Sequence, residues 1–189
     1  MDENVNTEKK IEIKGINNKY QINKLKKNPP IIKKRKIIEK NGIPIEYFSH
    51  EKQKEIFENL YSIYYLEKEC ENIEIYKKIK VEIEKKISSY KQQDIHKNRY
   101  NEVNFITFKS VCQKMMESSL FCYYCKENVS ILYEIVRETK QWTLDRINNN
   151  LGHNEDNVII CCLNCNLKRR CTNKDAFLFT KQLNIVKHE

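Results

Sequence analysis

The sequence predicts an α+β chain: a mostly helical first part, a small strand–loop–strand–helix unit stapled through four cysteines, and a closing helix. Three observations carry this. Apolar residues recur three and four apart between 46 and 93. Two Cys-x2-Cys pairs, Cys122/Cys125 and Cys162/Cys165, bracket the segment that follows. Between them, "QWTLDRI" (141–147) and "NVIICC" (157–162) have strand character and flank the polar run "NNNLGHNED" (148–156).

Taken in order, residues 1–45 read as a basic, poorly ordered arm. The stretch 24–40, "KLKKNPPIIKKRKIIEK", holds eight Lys/Arg and one acid, and Pro29-Pro30 stops any helix from running through it. Lys33, Lys34, Arg35 and Lys36 are its densest cluster. It suits a phosphate-contacting arm or a nuclear import signal. Residues 46–119 form the helical region. Ile56, Leu60, Ile63 and Tyr64 mark one helix, and Ile75, Ile79, Ile83 and Ile87 a second, with a break near Glu71–Asn72. Tyr61, Tyr64, Tyr65 and Tyr76 read as core or interface residues. The pair either packs on the following unit or makes a homodimer through 46–93. A third helix is expected over 104–119, with Phe105, Phe108, Cys112 and Met115 on one side. Residues 120–189 form the cysteine-stapled domain. After the two strands, "LNCNLKRR" (163–170) has no breaker and reads as a helix. "DAFLFTKQLNIVK" (175–187) closes the unit, with Phe177, Leu178 and Leu183 over the core.

Composition narrows the classes of function. The chain has 189 residues, 35 Lys+Arg against 26 Asp+Glu, and a net charge of +9. That balance favours acidic partners, nucleic acid first. No apolar run reaches the ~18 residues of a spanning helix, so no membrane partner is expected. The N-terminus has no apolar core of a secretory signal. Eight cysteines without such a signal read as reduced thiols or metal ligands. The expected setting is intracellular and reducing: nucleus, cytoplasm or a viral factory, with packaging in a virion a further option.

Two Cys-x2-Cys knuckles can close one tetrahedral zinc site, each turning two sulfurs toward the metal. The ligands are then Cys122, Cys125, Cys162 and Cys165. In a strand, Cys161 and Cys162 point to opposite faces, so only one of them can face the zinc. The two-residue gap selects Cys162 and leaves Cys161 as a small core residue, the alternative being the reverse. Cys70, Cys112 and Cys171 read as plain thiols, with Cys171 the one substitute ligand. A closed four-thiolate site has no open position and does no chemistry itself.

The segment "LDRINNNLGHNEDNVIICCLNCNLKRR" resembles the HNH, or ββα-metal, nucleases. The flanking knuckles are similar to those of the zinc-stapled, endonuclease VII-like subset of phages and large DNA viruses. The resemblance covers about residues 120–171, and nothing before 120 shares it. It implies a DNA endonuclease in which Mg2+ or Mn2+ sits beside the scissile phosphate. Asp145 then matches the strand-end ligand of that cation, and Asn166 the ligand on the helix, aimed by the zinc knuckle. Asn157 matches the asparagine that braces the loop. Lys168, Arg169 and Arg170 follow Asn166 and are expected to hold phosphates. The family has a histidine general base where this chain has Arg146. Arginine does not give up its proton near neutral pH, so it clamps phosphate instead. His153, the segment's one histidine, is the substitute base. The alternative is a catalytically degenerate zinc module that binds nucleic acid, or a structural subunit of a viral nucleoprotein assembly.

Overall fold

The structure is a computed structural model. It describes residues 43–66 and 73–183, with 32–35 and positions 14, 15, 18 and 22 before them. The chain divides into two units, Met1–Lys33 and Lys34–Glu189. The second carries a short 3-10 turn at Ile45–Phe48, α1 (His50–Leu66), α2 (Ile73–His96), α3 (Phe108–Glu117), β1 (Trp142–Arg146), a 3-10 turn at Glu155–Asn157, β2 (Val158–Cys162), α4 (Leu163–Arg169) and α5 (Lys174–Gln182). This is the α+β order expected, with a helical first part and a small antiparallel sheet beside the cysteines.

The helical periodicity places its residues inside. Ile56, Phe57 and Leu60 of α1, Ile75, Tyr76, Ile79 and Ile83 of α2, and Val111, Cys112 and Met115 of α3 are buried in one core that continues into Trp142, Leu144, Val158 and Ile160. The expected break at Glu71–Asn72, the side chains of Ile63, Tyr64 and Tyr65, and Cys70 lie outside the described residues. Helix α3 starts at Phe108 rather than 104, because the Thr107 hydroxyl accepts from the amide of Ser110 and caps it there. The preceding residues are instead drawn into a turn, in which the Asn101 side chain accepts from the amides of Val103 and Asn104. Helix α5 is capped by Asn173, and Phe177 packs edge-on against Tyr124 at 4.9 Å. Leu183, expected over the core, follows the last turn and is 46% exposed.

Strands β1 and β2 pair antiparallel in the register Trp142↔Cys162, Leu144↔Ile160 and Arg146↔Val158. A two-stranded ladder leaves two bare edges. On β1 that edge is closed mainly by side chains. Trp142 donates its amide to the Ser130 carbonyl, and its own carbonyl accepts from the Lys86 ammonium. Leu144 donates its amide to the Tyr90 hydroxyl, and its carbonyl accepts from Asn166. The Arg146 carbonyl accepts from Arg169. Two of these side chains come from α2 and two from α4, so the strand is wedged between the long helix and the helix that follows the cysteines.

Of the basic arm, Lys33 and Lys34 are exposed and Lys36 lies outside the described residues. Arg35 does not stand free as a phosphate contact. It pairs with Glu82 at 2.7 Å, lies 4.4 Å from the centre of the Tyr133 ring, and donates its backbone amide to Glu134. The loop it joins is held from the other side by the buried Gln53, whose amide group bonds Phe48, Ile131 and Leu132. No helix among the described residues is long and apolar enough to cross a membrane.

Candidate metal centre and the cleft beside it

Four sulfurs meet where the two knuckles face each other. Those of Cys122, Cys125, Cys162 and Cys165 all lie within 4.8 Å of one another. A tetrahedral site with Zn–S bonds of about 2.3 Å has edges of roughly 3.8 Å. Cys125 and Cys162 are 3.9 Å apart, so the cage is of zinc size. The local sequence builds it. Cys122 accepts the amide of Lys126 on its carbonyl, a turn that Lys126 completes with φ of 58°. Cys162 ends β2 and caps α4 by accepting from the Cys165 amide. Without a cation the packed thiols are in conflict. The S–H of Cys162 and nearby backbone amides hold Cys122 far below an ordinary thiol, while that thiolate and burial push Cys162 up. A divalent cation bound by four thiolates removes the conflict. Cys161 points to the other face, fully buried, 3.2 Å from the Thr143 hydroxyl. Cys171 is exposed and outside the quartet.

A polar cleft of about 160 Å3 lies beside this centre, lined by Tyr90, Gln93, Leu144, Asp145, Arg146, Asn149, His153, Asn166 and Arg170. Residues of β1, the loop after it, α4 and α2 thus reach one place. Asp145 is 4% exposed. One of its oxygens accepts from the Tyr124 hydroxyl at 2.5 Å and the other from Arg169 at 2.8 Å. Burial pushes this carboxyl up, opposed by Tyr124, Arg169 and Arg146. The amide nitrogen of Asn166 donates to the Thr143 hydroxyl and the Leu144 carbonyl. A carbonyl only accepts, so this orientation is required, and it turns the Asn166 oxygen away from the strand.

Arg146 is half-buried and donates to the Leu151 carbonyl. Burial, then the neighbouring Arg99 and Arg169 charges, push its guanidinium down, against the opposing pull of Asp94 and Asp145. Arg170 lines the cleft and Lys168 is exposed. Arg169 is a correction to the expected phosphate grip. It is 1% exposed and donates inward to Asp145, Arg146 and Ile147. Helix α4 turns that face toward β1, so Arg169 is a counter-charge beneath the cleft.

The loop is braced by Asn157, which accepts from the Asn148 amide and donates to the Asn148 and Gly152 carbonyls. His153 is buried, with its ring 4.5 Å from that of Tyr90. Its Nδ1 lies 2.9 Å from one oxygen of Asp94, and its amide donates to the other at 2.6 Å. Asp94, itself fully buried on α2, belongs to no motif and was not expected at the site. Burial lowers the His153 pKa, outweighing the pull of Asp94 the other way. A larger cleft of about 620 Å3 lies on another side of the cage, where Cys122 lines it with Phe121, Tyr123, Ile159, Lys114 and Lys126, and Glu117 is its one carboxylate.

No protein-family model matches the chain, and neither the curated proteins nor the solved structures gave a match.

Proposed function

We propose that this chain is a zinc-stapled, metal-dependent DNA endonuclease of the HNH type, hydrolysing phosphodiester bonds. The observation that supports it is the convergence of Asp145, Asn166, Arg146, Arg170 and His153 on one cleft beside the four-sulfur cage. A pure structural zinc module needs no such set. One carboxylate and one amide oxygen suit a hard cation, Mg2+ or Mn2+, held by Asp145 and Asn166. Each Asp145 oxygen keeps a second lone pair, so the carboxylate is shared with Tyr124 and Arg169. When bound, such a cation polarises the phosphate and stabilises the leaving oxygen. Arg146 and Arg170 grip the phosphate, His153 accepts a proton from water, and the exposed Lys168, Lys33 and Lys34 add salt-sensitive affinity for DNA.

A second reading is a degenerate nucleic-acid-binding module or assembly subunit. It is favoured by the occupied oxygens of Asp145 and by arginine at position 146. The test is cleavage of supercoiled plasmid and a synthetic four-way junction by zinc-loaded protein, with and without added Mg2+ or Mn2+. The nuclease reading expects cation-dependent cutting that Asn166→Ala reduces about a hundredfold or more, in line with loss of a charge-stabilising group. Binding without cutting by the wild type, together with a gain of cutting in Arg146→His, establishes the degenerate module. Either reading works as a monomer. A homodimer through 46–93 is a separate proposal that light scattering decides.

A further inference from the structure

We infer that Asp94, on the helix that precedes the zinc-stapled unit, is a positioning residue for His153, and that the two act as an acid–base dyad in the cleft. The inference rests on the nuclease reading. The geometry is of two kinds. One Asp94 oxygen accepts the His153 backbone amide at 2.6 Å, which fixes where the residue sits. The other lies 2.9 Å from Nδ1. A carboxylate only accepts, so Nδ1 carries the proton and Nε2 is left as the basic nitrogen. The Tyr90 ring, also from α2, packs on the imidazole and limits its rotation. The loop has no slack. A Cβ on Gly152 would lie 2.4 Å from the Arg99 carbonyl oxygen and 2.9 Å from an Asp94 oxygen. The Ile106 amide bonds the His153 carbonyl from outside. Tautomer, position and ring angle are therefore all set by the segment 90–106, which the motif does not include.

In the step, a water proton passes to Nε2 of His153 as the water oxygen forms its bond to phosphorus. The bond from phosphorus to the leaving deoxyribose oxygen breaks, and that oxygen takes a proton from solvent. The charged groups around the imidazole are Asp94 and Lys97 from α2 and the turn after it, and Arg146 from β1. Asp94 favours the protonated ring, whereas burial, Arg146 and Lys97 disfavour it. Removing the Asp94 charge thus lowers the pH at which His153 loses its proton, as well as releasing its tautomer.

The experiment compares zinc-loaded full chains of wild type, Asp94→Asn, His153→Ala and the double variant on supercoiled plasmid with Mn2+, across pH 5 to 9. Zinc content and melting are measured alongside, and nitrogen NMR reports the His153 tautomer. Asp94→Asn is expected to cut the plateau rate about a hundredfold or more. It should also shift the acid limb to lower pH and mix the tautomers, and the double variant should be no slower than His153→Ala. An active wild type whose rate and acid limb are unchanged by Asp94→Asn overturns the dyad alone. So does a loss that merely tracks zinc or melting while the limb stays in place. A wild type inert on every substrate overturns the nuclease reading and the dyad together.

Discussion

Asp145 and Arg169 form a buried ion pair, and each is the other's only opposite charge among the described residues in bonding distance. Replacing Asp145 by Asn keeps its shape but leaves a guanidinium uncompensated in the interior, a loss of about 3–5 kcal/mol. Urea unfolding should register it, so lost cleavage in Asp145→Asn or Asp145→Ala has to be weighed against lost fold. Asp145 and Asn166 were singled out by the resemblance to the HNH nucleases rather than by spacing, and the fold brings both to one cleft. The inward turn of Arg169 was not. A position three residues after Asn166 shares its helix face, but the sequence does not say whether that face looks at solvent or at β1. Asp94 was invisible for a different reason: it lies 59 residues from His153 in a helix that carries no motif. His153 also gives a signed pH effect. Its folded pKa lies below its ordinary value near 6.5, so the fold favours the neutral ring. That stability is present above about pH 6.5 and is lost as pH falls through the folded pKa. Melting temperature should drop more steeply between pH 7.5 and 5 in wild type than in His153→Gln.

The loop between the strands behaves as an element in its own right, although its sequence reads only as a polar turn. Asn157 closes it from within, and the 94–106 segment holds it from without. Gly152→Ala places a methyl against a main-chain carbonyl that cannot rotate away. A cost of about 1–3 kcal/mol is expected, typical of overpacking, with zinc retained and any activity reduced through the displaced His153. Urea titration with metal analysis checks it. At the other end of the unit, Asn173 accepts from the amides of Asp175 and Ala176. Asn173→Ala should cost about 0.5–2 kcal/mol by the loss of that cap, read as a lower urea midpoint. The strands and the two last helices were legible because hydrophobic runs, knuckles and an uninterrupted 163–170 all pointed the same way. The start of α3 was not, because the Asn101 turn and the Thr107 cap compete with helix through hydrogen bonds of single side chains.

For the molecule as a whole, the four-sulfur cage ties the loop at 122–125 to the junction of β2 and α4. Chelation should therefore melt the strands and α4 together, seen as loss of both strand and helix circular dichroism. Cys162→Ser should lose the metal, while Cys161→Ser should keep it, since its sulfur faces the Thr143 hydroxyl instead. The closed edge of β1 has a consequence of another kind. Lys86 and Tyr90 satisfy peptide groups of Trp142 and Leu144, and both come from the helical half. A fragment cut at residue 120 would carry the entire motif yet present half of a raw strand margin next to an uncovered Trp142. Such a margin recruits the same margin of a second chain. The isolated unit is thus expected to polymerise as its concentration rises, with light scattering growing even when zinc is saturating. Adding back a peptide spanning 73–100 should suppress that growth. The long helix is in this sense a built-in chaperone for the small sheet, and the module cannot be transplanted to another protein without bringing its guard along.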